Sequence, residues 1–180
     1  MMNVILNREE YDSRISRILK ECLPQEVLND LREKLAIMST CYCDGFRVAR
    51  RICSEKEIII LSERIFPKRG AKWDSCEMRY FTFAILHEIA HVYKNHRSPK
   101  LDKLTEKEVE DDEEEANQIA FSWYNAYVKR KDNPYLKPLT IDEVIMMKEK
   151  NKKLMIKFKK EGVYSLLNCN SSNCNSSDQI

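Results

Sequence analysis

At 180 residues and 43% hydrophobic content, the chain is long enough for one cored domain. Its 31 basic and 29 acidic residues leave a net charge of +2, too small to mark a surface for nucleic acid or an anionic membrane. Three glycines cannot supply a Gly-rich phosphate loop, which argues against nucleotide chemistry.

In chain order, Arg8 to Glu21 is predicted as a helix, with Tyr11, Ile15, Ile18 and Leu19 at helical spacing. Pro24 suits the first turn of a second helix, expected to run to about Met38 over Val27, Leu28, Leu31 and Leu35. From Cys41 the pattern changes, and Phe46 to Val48 and Glu57 to Leu61 read as strands joined through a turn at Ser54 to Lys56. Ser62 to Lys72, with Pro67 and Gly70, reads as loop. Asp74 to Glu77 has the spacing of a capping box and opens a long helix that Ser98-Pro99 stops. TEKE at Thr105 to Glu108 is a better capping box, opening a helix to about Lys131 that Asn133-Pro134 ends. Thr140 to Glu143 opens a last helix to about Glu161. Residues 1–164 are thus expected as a single domain and 165–180, rich in Ser and Asn, as a disordered tail.

Seven cysteines in a chain whose N-terminus shows no apolar leader read as reduced thiols in the cytoplasm. No apolar run approaches the ~18 residues that a membrane span needs. Cys41, Cys43, Cys53, Cys169 and Cys174 lack C-x-x-C spacing and do not read as a zinc site. Lysine clusters near 148–160 read as a solvated helix face.

The chemical signal is HEIAH, which holds two of the chain's 3 histidines. On a helix turning by about 100° per residue, His87 and His91 lie about 40° apart and one turn along, so both imidazoles aim at one point. That is the requirement for two ligands of one zinc ion. Glu88 flanks that point and is placed to take a proton from water there. Met78, Phe81, Ile85, Leu86, Ile89 and Val92 fall on the opposite side, giving the helix an apolar back.

A catalytic zinc needs a third protein ligand. If the helix continues past Tyr93, His96 points about 140° away from His91, which counts against it. In the acidic run from Glu110 to Tyr124, Glu113 lies centrally in a stripe of Val109, Ala116, Ala120, Tyr124 and Tyr127. A carboxylate in such a stripe must be paired or bind a metal. Glu113 is therefore the leading candidate, with Asp112 and Glu114 as alternatives. Asn117, one turn on, is placed to hold the other nitrogen of a ligating histidine.

HEIAH with His96 beyond it, the E-x-x-A-N segment from Glu113 to Asn117 running into Ala120-Phe121, and the lead-in RYFTFAIL together resemble the ImmA/IrrE family of zinc metallopeptidases. The strand residues Ile58 to Leu61 look like the strand preceding that family's active-site helix, and the resemblance spans roughly 46–127. Ala90 stands where the family more often has Gly. The resemblance implies zinc on His87, His91 and Glu113, with Glu88 as catalytic base. It implies an α+β, zincin-like fold, mostly helical, with a small antiparallel or mixed sheet packed on the HExxH helix. It further implies a protein substrate of the helix-turn-helix repressor kind.

The expected reaction is peptide hydrolysis, with Tyr80, Tyr93, Tyr124 or His96 as the oxyanion donor. Glu57 to Leu61, if it is an edge strand, would hold an extended substrate. The alternative is a binding or sensor protein that keeps the fold without turnover.

Overall fold

The computed structural model describes residues 3–5, 9–40, 46–48, 57–62, 65–97, 102–132 and 135–160. It is α+β, mostly helical with a small sheet. Two compact units divide the chain, Met1–Thr140 and Ile141–Ile180. The predicted turn at 54–56, the stops at Ser98-Pro99 and Asn133-Pro134, the tail at 165–180 and the cysteines at 41, 43, 53, 169 and 174 lie outside the described residues.

In the first unit, a strand β1 (Asn3–Ile5) precedes helix α1 (Glu9–Cys22). Tyr11, Ile15, Ile18, Leu19 and Cys22 of α1 are all buried, the stripe that its sequence periodicity requires. Burial pushes the Cys22 thiol up to about 12. Pro24 caps helix α2 (Gln25–Leu31) with φ −58° and ψ 147°. This helix is shorter than predicted, because the residues expected to continue it form strand β2 (Leu35–Thr40). Leu35 and Ile37 lie two apart, as strand periodicity places residues on one sheet face, and both are fully buried.

Strands β3 (Phe46–Val48) and β4 (Glu57–Ser62) complete a four-stranded sheet of order β1-β2-β4-β3. β1 runs parallel to β2 and β2 parallel to β4, while β3 pairs antiparallel with β4. The sheet is therefore mixed, one of the two arrangements expected, and the antiparallel alternative does not hold. Ile37 pairs with Ile59, and Ile59 and Leu61 join Leu35 and Ile37 in the core. A second correction concerns β4, which lies between two strands and leaves no free edge for a substrate; the edges belong to β1 and β3.

β4 packs against helix α3 (Cys76–Tyr93), which carries HEIAH. Its cap is Ser75, whose hydroxyl accepts the Met78 N–H at 3.2 Å; the box expected from Asp74 does not form. The Tyr11, Phe66 and Phe81 rings lock α1 and the 65–75 segment to α3, with centroids 4.6 Å (Tyr11–Phe66) and 5.0 Å (Phe66–Phe81) apart. Tyr11 also donates its hydroxyl proton to the Pro67 carbonyl at 2.8 Å. The predicted apolar back of α3 is buried throughout: Met78, Phe81, Ile85, Leu86, Ile89 and Val92.

The end of α3 differs from expectation. Asn95 takes φ 55°, the left-handed conformation that Asn tolerates better than most residues. The Asn95 N–H bonds the Val92 carbonyl and the His96 N–H bonds the His91 carbonyl at 2.9 Å, the bond pattern of a Schellman motif. The helix thus closes at Tyr93, before Ser98-Pro99 is reached.

Helix α4 (Glu106–Lys131) opens with the predicted capping box at Thr105 and Glu108, both bonds present. The Thr105 backbone N–H, then its hydroxyl and Arg97, hold the Glu108 carboxyl down to about 2. α4 packs along α3, with Phe83 against Phe121 at 4.8 Å and Tyr93 against Trp123 at 5.8 Å.

The second unit contains helix α5 (Ile141–Lys160), on which Ile141, Ile145 and Met146 are exposed. No helix among the described residues is long and apolar enough to cross a membrane.

Candidate metal centre

The two histidines of HEIAH and one carboxylate of α4 meet where α3 crosses α4. His87 Nε2 and His91 Nε2 lie 3.1 Å apart. Glu113 Oε2 is 3.4 Å from His87 Nε2 and Glu113 Oε1 is 3.5 Å from His91 Nε2. Two ligands about 2.05 Å from a tetrahedral ion are separated by roughly 3.3 Å. Each pair of groups therefore approaches to about the separation that one such ion requires, and one ligand atom from each lies within 4.8 Å of the other two. The chemistry of the donor set, two neutral-capable imidazoles and one carboxylate, fits a divalent cation of borderline character, and the group could hold a metal ion.

The surroundings prepare these side chains. His87 and His91 are 10% and 12% exposed, against 46% for Glu113, so the triangle has a dry side and a wet side. Phe83 forms the dry floor, its ring 6.0 Å from that of His87. Close contact with the His87 imidazole first, then that of His91, holds the Glu113 carboxyl far below the usual carboxylate range, against a desolvation that opposes ionisation.

Of the alternative third ligands, Asp112 sits 3.7 Å from His96 Nε2 instead, and Glu114 is exposed and accepts a bond from Gln118. Cys76 begins α3, about 16 Å along the axis from His87, and is not part of the group. Glu88 follows His87, is partly exposed, and makes no hydrogen bond or ion pair among the described residues.

The role expected of Asn117 is not realised as a direct bond. His87 Nδ1 and Asn117 Oδ1 are both buried, and neither has a hydrogen-bond partner among the described residues. They are a donor and an acceptor of matching chemistry that do not bond each other here.

His96 is the residue that sequence reasoning misplaced. The turn at Asn95 brings its ring back onto His91, Nδ1 to Nδ1 at 2.9 Å. Its Nε2 lies 2.9 Å from Glu115 Oε2, and Lys94 Nζ lies 2.7 Å from the other oxygen of that carboxylate. The Glu115 carboxyl is held below the usual carboxylate range by Lys94 and then His96. The available signal was Asn95 itself, since Asn at a helix end marks a left-handed turn.

Two of the four oxyanion candidates are already engaged. Tyr124 donates to the Lys137 carbonyl at 3.4 Å and lies about 16 Å along α4 from Glu113. His96 is committed to His91 and Glu115.

No protein-family model, curated protein or solved structure gives a significant match to this chain.

Proposed function

We propose that this chain is a zinc-dependent peptidase of zincin-like design, of the kind the ImmA/IrrE resemblance implies, acting on a protein substrate in the cytoplasm. The observation that carries the reading is the His87, His91 and Glu113 triangle with a carboxylate beside it, Glu88, that is unpaired among the described residues. Two histidines and a glutamate are a ligand set of catalytic zinc sites, which keep a fourth position open. Bound there, zinc would supply Lewis acidity, polarising a peptide carbonyl and easing the deprotonation of water.

The chain's own residues do the rest. His87 and His91 present Nε2 lone pairs from one face of α3, and Glu113 supplies the negative charge that favours a dication. Glu88 accepts the proton of the attacking water and passes it to the leaving amine. Tyr93, 42% exposed, is the oxyanion donor proposed. A helix-turn-helix repressor is the substrate class proposed, on the resemblance alone.

Protein purified without added metal should carry about one zinc per chain, and Glu113→Ala should lose it. Glu88→Gln should keep the zinc while cleavage of a proteome-derived peptide library, read by mass spectrometry, falls by roughly 10²-fold or more. Zinc retained with no cleavage by the unmutated chain, on that library or on a purified helix-turn-helix repressor, would favour a non-catalytic binding protein.

A further inference from the structure

We infer that His96 is a positioning residue for the metal centre: with Glu115 behind it, it fixes His91 in the tautomer that leaves Nε2 bare. The inference rests on the metal reading above, but its basis is a separate set of contacts. Among the described residues, His96 bonds neither Nε2 atom nor the Glu113 carboxylate; its ring meets the far nitrogen of His91, Nδ1 to Nδ1 at 2.9 Å.

The protons on this chain of groups follow from donor and acceptor counting. Glu115, ionised and already accepting a hydrogen bond from the Lys94 ammonium at 2.7 Å, can only accept, so the 2.9 Å contact from His96 Nε2 is an N–H donated to it. Asp112 Oδ1, 3.7 Å from the same nitrogen, adds negative charge on that side. A neutral imidazole protonated at Nε2 carries a lone pair at Nδ1. His91 must then donate from its own Nδ1, and its Nε2 is left as a lone pair facing His87 Nε2 and Glu113. A metal ligand needs that bare nitrogen, and the tautomer of a histidine is set by the bond its other nitrogen makes.

Burial makes the arrangement selective. The His96 side chain is only 6% exposed, so little solvent competes for its ring nitrogens. The Schellman turn supplies the geometry: the bond from the His96 N–H to the His91 carbonyl stacks the two residues, and a ring-to-ring hydrogen bond stands where such motifs usually have an apolar contact. Metal-bound histidines commonly donate their second nitrogen to a carboxylate directly. Here a second imidazole is interposed, reaching the carboxylate at one remove.

The test uses the full chain, whose 3 histidines give a resolvable nitrogen spectrum. In metal-free protein, ¹⁵N NMR should show His91 protonated at Nδ1. His96→Ala should shift His91 toward the other tautomer, and His96→Asn, which places an amide oxygen near the site of Nδ1, should restore it. Zinc affinity, measured by competition with a chelator, should fall ~10–100-fold in His96→Ala and recover in His96→Asn. Glu115→Ala, at a site exposed enough to leave folding intact, should weaken zinc in the same direction by less. An unchanged His91 tautomer in His96→Ala, or zinc affinity that ignores the tautomer, overturns the assignment while leaving the metal centre standing. Failure of the unmutated chain to bind zinc overturns the metal reading itself, and the positioning role with it.

Discussion

Asn95 holds φ 55° at the end of α3, and two backbone bonds depend on it, from Asn95 to Val92 and from His96 to His91. A β-branched residue in that conformation is strained, whereas glycine is not. Asn95→Val should therefore cost about 1–2 kcal/mol in denaturant unfolding, and the same change should weaken zinc binding by displacing His96. Asn95→Gly should keep both stability and affinity close to native. A stable Asn95→Val with full zinc affinity would mean that the turn does not set the His91–His96 contact. Glu113 makes a different point at this scale. Its neighbours on the helical wheel are apolar, so its charge demands a partner or an ion. The meeting of both its oxygens with two imidazoles answers that demand. His96 was equally visible in the sequence, but its direction depended on where the helix stopped, one φ angle that helical periodicity cannot see.

At the scale of elements, the helix starts at Thr105 and Ser75 show two degrees of legibility. TEKE spells both halves of a capping box, and both bonds form. DSCE has similar spacing, yet Ser75 caps and Glu77 turns away toward the Lys68 N–H at 3.5 Å. Thr105→Ala should destabilise the protein by about 1 kcal/mol. The Glu108 contribution has a defined pH window, because its carboxyl lies at about 2 in the folded chain against an ordinary 4.5. A depressed folded-state value stabilises above the unfolded one, so the gain over Glu108→Gln is complete above about 4.5 and disappears as pH falls toward about 2. Acid titrations of the two proteins should converge across that interval; a constant gap down to pH ~2 would contradict the linkage. The β2 error has an instructive cause. Leu35 continues the apolar spacing of α2 well enough to pass for helix, but pairing with β1 on one side and β4 on the other decides for a strand.

For the whole molecule, the candidate ligands come from both α3 and α4, so an ion held there would link binding to folding. An ion that binds only the folded chain adds stability as RT ln(1 + [L]/Kd), about 2.7 kcal/mol at 100 times Kd. Zinc at that excess should raise the unfolding midpoint of the native chain, a chelator should remove the gain, and Glu113→Ala should show none. An equal zinc response in Glu113→Ala would place the stabilising ion elsewhere.

The sequence by itself determined the functional face of α3, its apolar back, the choice of Glu113 and the start of α4. Each of these is written in residues one helical turn apart, where backbone geometry is set in advance. Only the tertiary structure decided the strand at Leu35–Thr40, the burial of β4 within the sheet and the return of His96 onto His91. Those depend on pairing and packing between segments distant in sequence, or on a single left-handed residue, and the energy that selects them exists only once the elements are in contact.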